Sequence, residues 1–163
     1  MSDEKAEAAP RKKKGGMVRK LVLIAPFGLF DESEPTANPW AQTLTEAPKL
    51  LCEDPEIWKA LVAPPEGDNS LDWQVETVRA SEAAARFLWP LGNTGLARRL
   101  HLIHAPTLLL WGEQDHLMPR SYAKTMQAKM AGKSELQLIA GAGHLAYLDK
   151  PAEVAQAIDR WTL

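Results

Sequence analysis

The last third of the chain constrains its fold most. There Thr107-Leu108-Leu109-Leu110-Trp111 runs into Gly112-Glu113-Gln114-Asp115, and a second apolar run, about Glu135 to Ile139, ends in Gly141-Ala142-Gly143-His144. Short aliphatic runs bounded by turn residues suit strands covered on both faces, as in a parallel sheet. Between them Tyr122, Met126 and Met130 recur at helical spacing, with Pro119 fitted to a first turn and Gly132 as a stop. A final helix opens at Pro151 and sets Val154, Ile158 and Trp161 on one face. Upstream, Arg19 to Ala25 is another aliphatic run, halted by Pro26 and Gly28, and reads as a further strand buried on both faces. Alternating strands and helices connect by right-handed crossovers, so the sequence predicts an α/β fold with three parallel strands in chain order.

Between about Asp31 and Gly95 the texture changes to short, Pro-punctuated helical pieces that carry Trp40, Trp58, Trp73 and Trp89, four of the chain's 6 tryptophans. The clearest helix there runs from about Leu71 to Leu88, with Val75, Val78, Glu82 and Phe87 near helical spacing, Asp68, Asn69 or Ser70 as N-cap, and Trp89-Pro90 as its end. Leu96 to Leu102 predicts a short amphipathic helix before the break at Ala105-Pro106, and Gly92-Asn93-Thr94-Gly95 reads as a loop. The segment 1–16 is rich in Ala, Lys and Glu without apolar periodicity and reads as a disordered charged tail. The division that follows is a tail at 1–16, a core at 17–30 and 96–163, and a helical insertion at 31–95.

Composition removes several classes of function. With 45% hydrophobic and 25% charged residues, a chain of 163 has the balance of one soluble domain, and a formal charge of -2 lacks the basic excess that nucleic acid requires. The run Arg11-Lys12-Lys13-Lys14 lies near Asp3, Glu4 and Glu7 and reads as a solvated tail. Leu21 to Phe30 has the length of a signal-peptide core, yet Pro26, Gly28 and the acidic residues after it favour a strand, and nothing approaches a membrane span. Cys52 is the only cysteine, which excludes an internal disulfide, suits a reducing, cytoplasmic setting and reads as a packed thiol. No phosphate-cradling glycine loop and no metal-ligand spacing occurs, so neither cofactor nor metal is expected.

In open parallel sheets the loops at the carboxyl ends of the strands build the site, and Asp115 and His144 both fall in such loops on neighbouring strands. Asp115 there can accept from one ring nitrogen of His144 while the other acts as general base. Taken singly, Asp115 reads as an Asx-turn residue and His144 as a surface or packing histidine; taken jointly, in these flanks, they read as an acid–base pair. Asp31, after the first strand, is the runner-up acid. Glu113 reads as a salt-bridge or rim residue, His116 as a pocket or solvent-facing one, and His101 and His104 as structural.

Ile103 to Leu163 resembles the C-terminal part of the α/β-hydrolase fold through Pro106 to Asp115, Met118-Pro119, Gly141 to His144 and Asp149-Lys150-Pro151-Ala152-Glu153-Val154, and Arg19 to Leu29 is similar to the strand that follows the nucleophile-bearing helix. The resemblance implies Asp115 as triad acid, His144 as base, and the 31–95 insertion as a lid whose Trp40, Trp58, Trp73, Phe87 and Trp89 wall an apolar pocket. It also implies a nucleophile elbow, Gly-x-Ser-x-Gly, ahead of these strands. None of Ser2, Ser33, Ser70, Ser81, Ser121 or Ser134 has those flanks. An elbow Ser would form an acyl-enzyme and an elbow Asp would do different displacement chemistry, so the reaction subtype stays open. The expectation is a partial fold carrying acid and base. Completed by an N-terminal half, it would hydrolyse a small apolar ester or related compound, and alone it would be inactive. The alternative is a non-catalytic interaction module or pseudoenzyme. The aliphatic strand Leu21 to Ala25 would then expose an unpaired edge through which the chain self-associates.

Overall fold

The computed structural model describes residues 17–43, 45–89 and 91–163, so the tail read at 1–16 and Pro90 lie outside the described residues. Three parallel strands, β1 (Leu21–Ile24), β2 (Thr107–Gly112) and β3 (Ser134–Ile139), form one sheet in the order β1-β2-β3. The register sets Leu21 opposite Thr107 and Thr107 opposite Ser134. β2 is buried along its whole length because strands flank it and side chains cover both its faces. Leu109 and Trp111 point into one core layer with Leu117, Met118, Tyr122 and Met126, while Leu108 and Leu110 point into the other with Ile139, Val154 and Ala157. This is the period-two alternation of a strand serving two cores.

Helix α4 (Arg120–Lys129) links β2 to β3 and buries Tyr122, Ala123 and Met126, with Met130 just past its end. Pro119 stands at its N-cap, one residue outside the helix. After β3 come the four-residue α5 (Ala146–Asp149) and α6 (Pro151–Thr162), which buries Val154 and Ala157 and leaves Ile158 and Trp161 partly covered. Leu96 to Leu102 forms two 3-10 turns, Leu96–Arg98 and Leu100–Leu102, in place of one amphipathic helix.

One expectation is corrected in extent: β1 is half-buried throughout, with Leu23 packed against one core layer and Val22 and Ile24 against the other, because among the described residues only β2 lies beside it. The segment 31–95 contains α1 (Ala47–Leu51), α2 (Pro55–Leu61) and α3 (Ser70–Leu88), and α3, capped by Asn69 through the Leu71 N–H, buries none of its residues. Its apolar side chains Leu71, Val75, Val78 and Phe87 are exposed. Helical periodicity identified α3, but no element among the described residues covers its apolar side.

Candidate active site

β2 and β3 end side by side, and the turns after them are interlocked. The Glu113 N–H donates to the Ile139 carbonyl, the Gln114 N–H to the Ala142 carbonyl, and the Ala142 N–H to Gln114 Oε1 at 3.2 Å. Gly112 is required where the turns cross, since a Cβ there would lie 2.0 Å from the Gly143 carbonyl oxygen. Gly141 takes a positive φ of 65° at the start of the turn, a conformation that costs glycine nothing.

Asp115 and His144 meet across this junction. Asp115 Oδ2 lies 3.0 Å from His144 Nδ1, the carboxylate wholly buried and the imidazole side chain 10% exposed. The other oxygen, Oδ1, accepts the backbone N–H groups of Leu117 at 2.9 Å and Met118 at 2.8 Å. Asp115 therefore makes the Asx turn and the contact to the histidine with one carboxylate. Two amides hold Oδ1, so the plane of the carboxylate is fixed, and with it the direction from which Oδ2 approaches the ring. Against Oδ2, a neutral His144 carries its proton on Nδ1, which leaves Nε2 as the basic nitrogen. Among the described residues nothing hydrogen-bonds to Nε2.

The third group at the site is Phe27, whose ring stands edge-on to His144 with centroids 5.7 Å apart and planes at 84°. Ala25, just past β1, has a φ of 37°, the strained left-handed region for a residue bearing a Cβ. Phe27 was not singled out from the sequence; its position just past the carboxyl end of a strand neighbouring β2 is the signal that marks it.

The other candidates sit elsewhere. Asp31 is exposed and accepts from the Ser33 hydroxyl at 2.6 Å and the Ser33 N–H at 2.9 Å, hydrogen bonds that hold its carboxyl below the usual range, the hydroxyl contributing most. Its role is to shape that turn, and its carboxylate makes no contact with His144. Glu113, His116, His101 and His104 are all exposed. Trp73 is tied by its indole N–H to the Val62 carbonyl at 2.7 Å, within the segment 31–95 itself. Trp40 and Trp89 line a surface depression with Asn38, Ala41, Ser81, Glu82 and Ala85, and Trp58 is half-buried on α2. Phe87 is 90% exposed and borders a separate cavity of about 150 Å³ that also includes Phe27, Leu29, Phe30, Leu88 and Leu91. Of the five aromatic residues named for the wall, only Phe87 shares a cavity with the ring that touches His144.

Among the described residues no group of three or more His, Cys, Asp or Glu side chains is placed to hold a metal ion. No described helix is long and apolar enough to cross a membrane.

A family model described as the alpha/beta hydrolase family matches residues 6–157, and the chain belongs to that family. Three solved structures illustrate the likeness. A membrane phospholipase A, described as a bacterial virulence factor, shares 23% identity over 89% of this chain and 49% of its own, with a TM-score of 0.61. A 2-hydroxy-6-oxo-6-phenylhexa-2,4-dienoate hydrolase from Rhodococcus sp. strain RHA1 shares 16% identity over 88% of this chain and 54% of its own, with a TM-score of 0.57. A predicted CIB-like hydrolase from Thermoplasma acidophilum is 30% identical over 42% of this chain and 33% of its own, with a TM-score of 0.40. At these identities the first two show the fold alone, and the chain spans between a third and about half the length of these three proteins. No curated protein matches the chain.

Proposed function

We propose that this chain supplies the acid and the base of an ester-hydrolysing enzyme whose nucleophile is presented by residues outside the 163. Asp115 is the acid and His144 the base. The observation that carries the reading is the buried 3.0 Å contact of Asp115 Oδ2 with His144 Nδ1, in a carboxylate whose other oxygen is fixed by two amides. In the complete enzyme the nucleophile would attack the substrate carbonyl while Nε2 takes its proton. Asp115 would hold the tautomer and stabilise the imidazolium, and His144 would then return the proton to the leaving alcohol. The aliphatic and aromatic lining of the cavity beside Phe27 suits a small apolar acyl or alkyl group. The outer edge of β1, unpaired among the described residues, is where a strand bearing the nucleophile would join the sheet. In this reading the segment 31–95 serves as the lid that limits water at the site.

A second reading, a non-catalytic binding module, is favoured by one observation. None of the described serines hydrogen-bonds to His144: Ser33 bonds Asp31, Ser121 bonds Glu34, and Ser134 bonds Gln127. The coding sequence upstream of Met1 separates the readings. An in-frame Gly-x-Ser-x-Gly, together with p-nitrophenyl ester turnover by the extended protein that His144→Ala abolishes, supports the hydrolase. No such elbow and no turnover would leave the binding module.

A further inference from the structure

His144 is held from a side that its acid does not reach. The Asp149 carboxylate, at the end of α5, accepts the Gly143 N–H at 2.8 Å and the Glu53 N–H at 3.0 Å on the same oxygen, Oδ2, and the Asp54 N–H at 3.4 Å on Oδ1. One carboxylate thus joins the residue before the histidine to the link between α1 and α2. The Leu145 N–H donates to the Leu51 carbonyl at 2.7 Å, so the backbone on both sides of His144 is tied to the same short stretch. The two backbones touch: a Cβ on Gly143 would lie 2.9 Å from the Glu53 nitrogen and 3.0 Å from the Cys52 carbonyl carbon. Charge-assisted bonds from backbone amides to a carboxylate are about twice as strong as neutral ones.

Other contacts divide the 31–95 segment. Its start is bonded to the core as well, with the Asp31 N–H on the Tyr122 hydroxyl, that hydroxyl on the Glu34 carbonyl, and the Ala37 N–H on the Leu117 carbonyl. Past Asp54 the pattern changes, and neither α2 nor α3 buries a residue.

We propose that Asp149 is a positioning residue for His144, fixing the histidine turn against the Cys52–Asp54 link. It follows that the Cys52–Asp54 link is a fixed wall of the site. The positioning role rests on the reading of His144 as the base, whereas the clamp itself is a claim about amides and can be judged alone.

The test is NMR of the 15N-labelled 163-residue chain, following amide exchange and the exchangeable imidazole Nδ1–H of His144. In the unmodified chain, Glu53, Gly143 and Leu145 should exchange as one protected group, at least tenfold slower than the amides of α2 and α3. Asp149→Ala should accelerate that group at least tenfold and remove the Nδ1–H resonance. Asp149→Asn, which keeps an acceptor oxygen for Gly143 and Glu53, should restore the resonance. Ile158→Ala, destabilising through α6 and remote from the clamp, should leave it in place. A resonance unchanged in Asp149→Ala would overturn the positioning role. Exchange of Glu53 in step with α2, and not with Gly143, would overturn the clamp even if Asp149→Ala does not fold. If the unmodified chain has no such resonance, the acid–base reading fails, and the exchange pattern alone decides the clamp.

Discussion

Replacing Asp115 in two ways separates its structural work from its chemical work. Asp115→Ala removes the acceptor of the Leu117 and Met118 amides as well as the partner of His144, all at a site where the carboxylate is fully buried. Hydrogen bonds to a charged group contribute about 1.5–3 kcal/mol each, so two lost bonds project to a destabilisation of about 3–6 kcal/mol. For a domain whose whole stability is of the order of 5–15 kcal/mol this is a large share. With a urea m-value of about 2 kcal/mol/M, the midpoint should fall by about 1.5–3 M. Asp115→Asn keeps an oxygen for both amides and should cost less than about 1.5 kcal/mol. Its NH2 faces Nδ1, however, and drives the imidazole proton onto Nε2, the nitrogen needed as base. In the complete enzyme that change should lower turnover by about 10⁴. Urea melts of the two variants beside the parent chain supply the test. An Asp115→Ala midpoint within about 0.3 M of the parent, or an Asp115→Asn as unstable as the alanine variant, would refute this account of the carboxylate.

Three further outcomes are expected. A serine-directed fluorophosphonate should leave the isolated chain unlabelled, because no described serine touches His144; stoichiometric labelling abolished by His144→Ala would contradict this. Burial pushes the Cys52 thiol up to about 11, with the Asp149 and Asp54 carboxylates adding to the effect. The folded state therefore keeps a proton that the unfolded chain releases near 9, so the thiol's contribution is complete below about pH 9 and is lost as pH rises through about 11. The difference in urea midpoint between the parent and Cys52→Ala should change across that interval, and a difference flat from pH 8 to 11 would be the contrary result. Finally, the outer edge of β1, unpaired among the described residues, should make the chain associate in sedimentation experiments, and Val22→Lys should reduce that association; equal sedimentation of the two as monomers would refute it.

The sheet was legible because its signals are local. Leu108 to Trp111 is an unbroken apolar run, and Tyr122, Met126 and Met130 keep strict helical spacing, so β2 and α4 were readable from short windows. The meeting of Asp115 and His144 followed from topology, since crossovers of one hand bring neighbouring strand ends together. What could not be read depends on long-range partners. The burial of β1 and of α3 is set by which elements lie beside them, and periodicity reports a face without reporting a neighbour. Phe27 and Asp149 were passed over for a similar reason. Nothing in the residues around Phe27 indicates a histidine 5.7 Å away, and Asp149 reaches amides 96 and 95 positions earlier in the chain. The turn read for Asp115 is made by its Oδ1, and the contact read with His144 by its Oδ2.

The pairing of Asp115 with His144 is the claim on which the rest depends, and proton NMR of the exchangeable imidazole resonances tests it most directly. A single downfield, slowly exchanging Nδ1–H assigned to His144, lost in both Asp115→Ala and His144→Ala, is the predicted result. A His144 Nδ1–H absent from the unmodified chain, or present and unmoved when Asp115 is replaced by alanine, would contradict it.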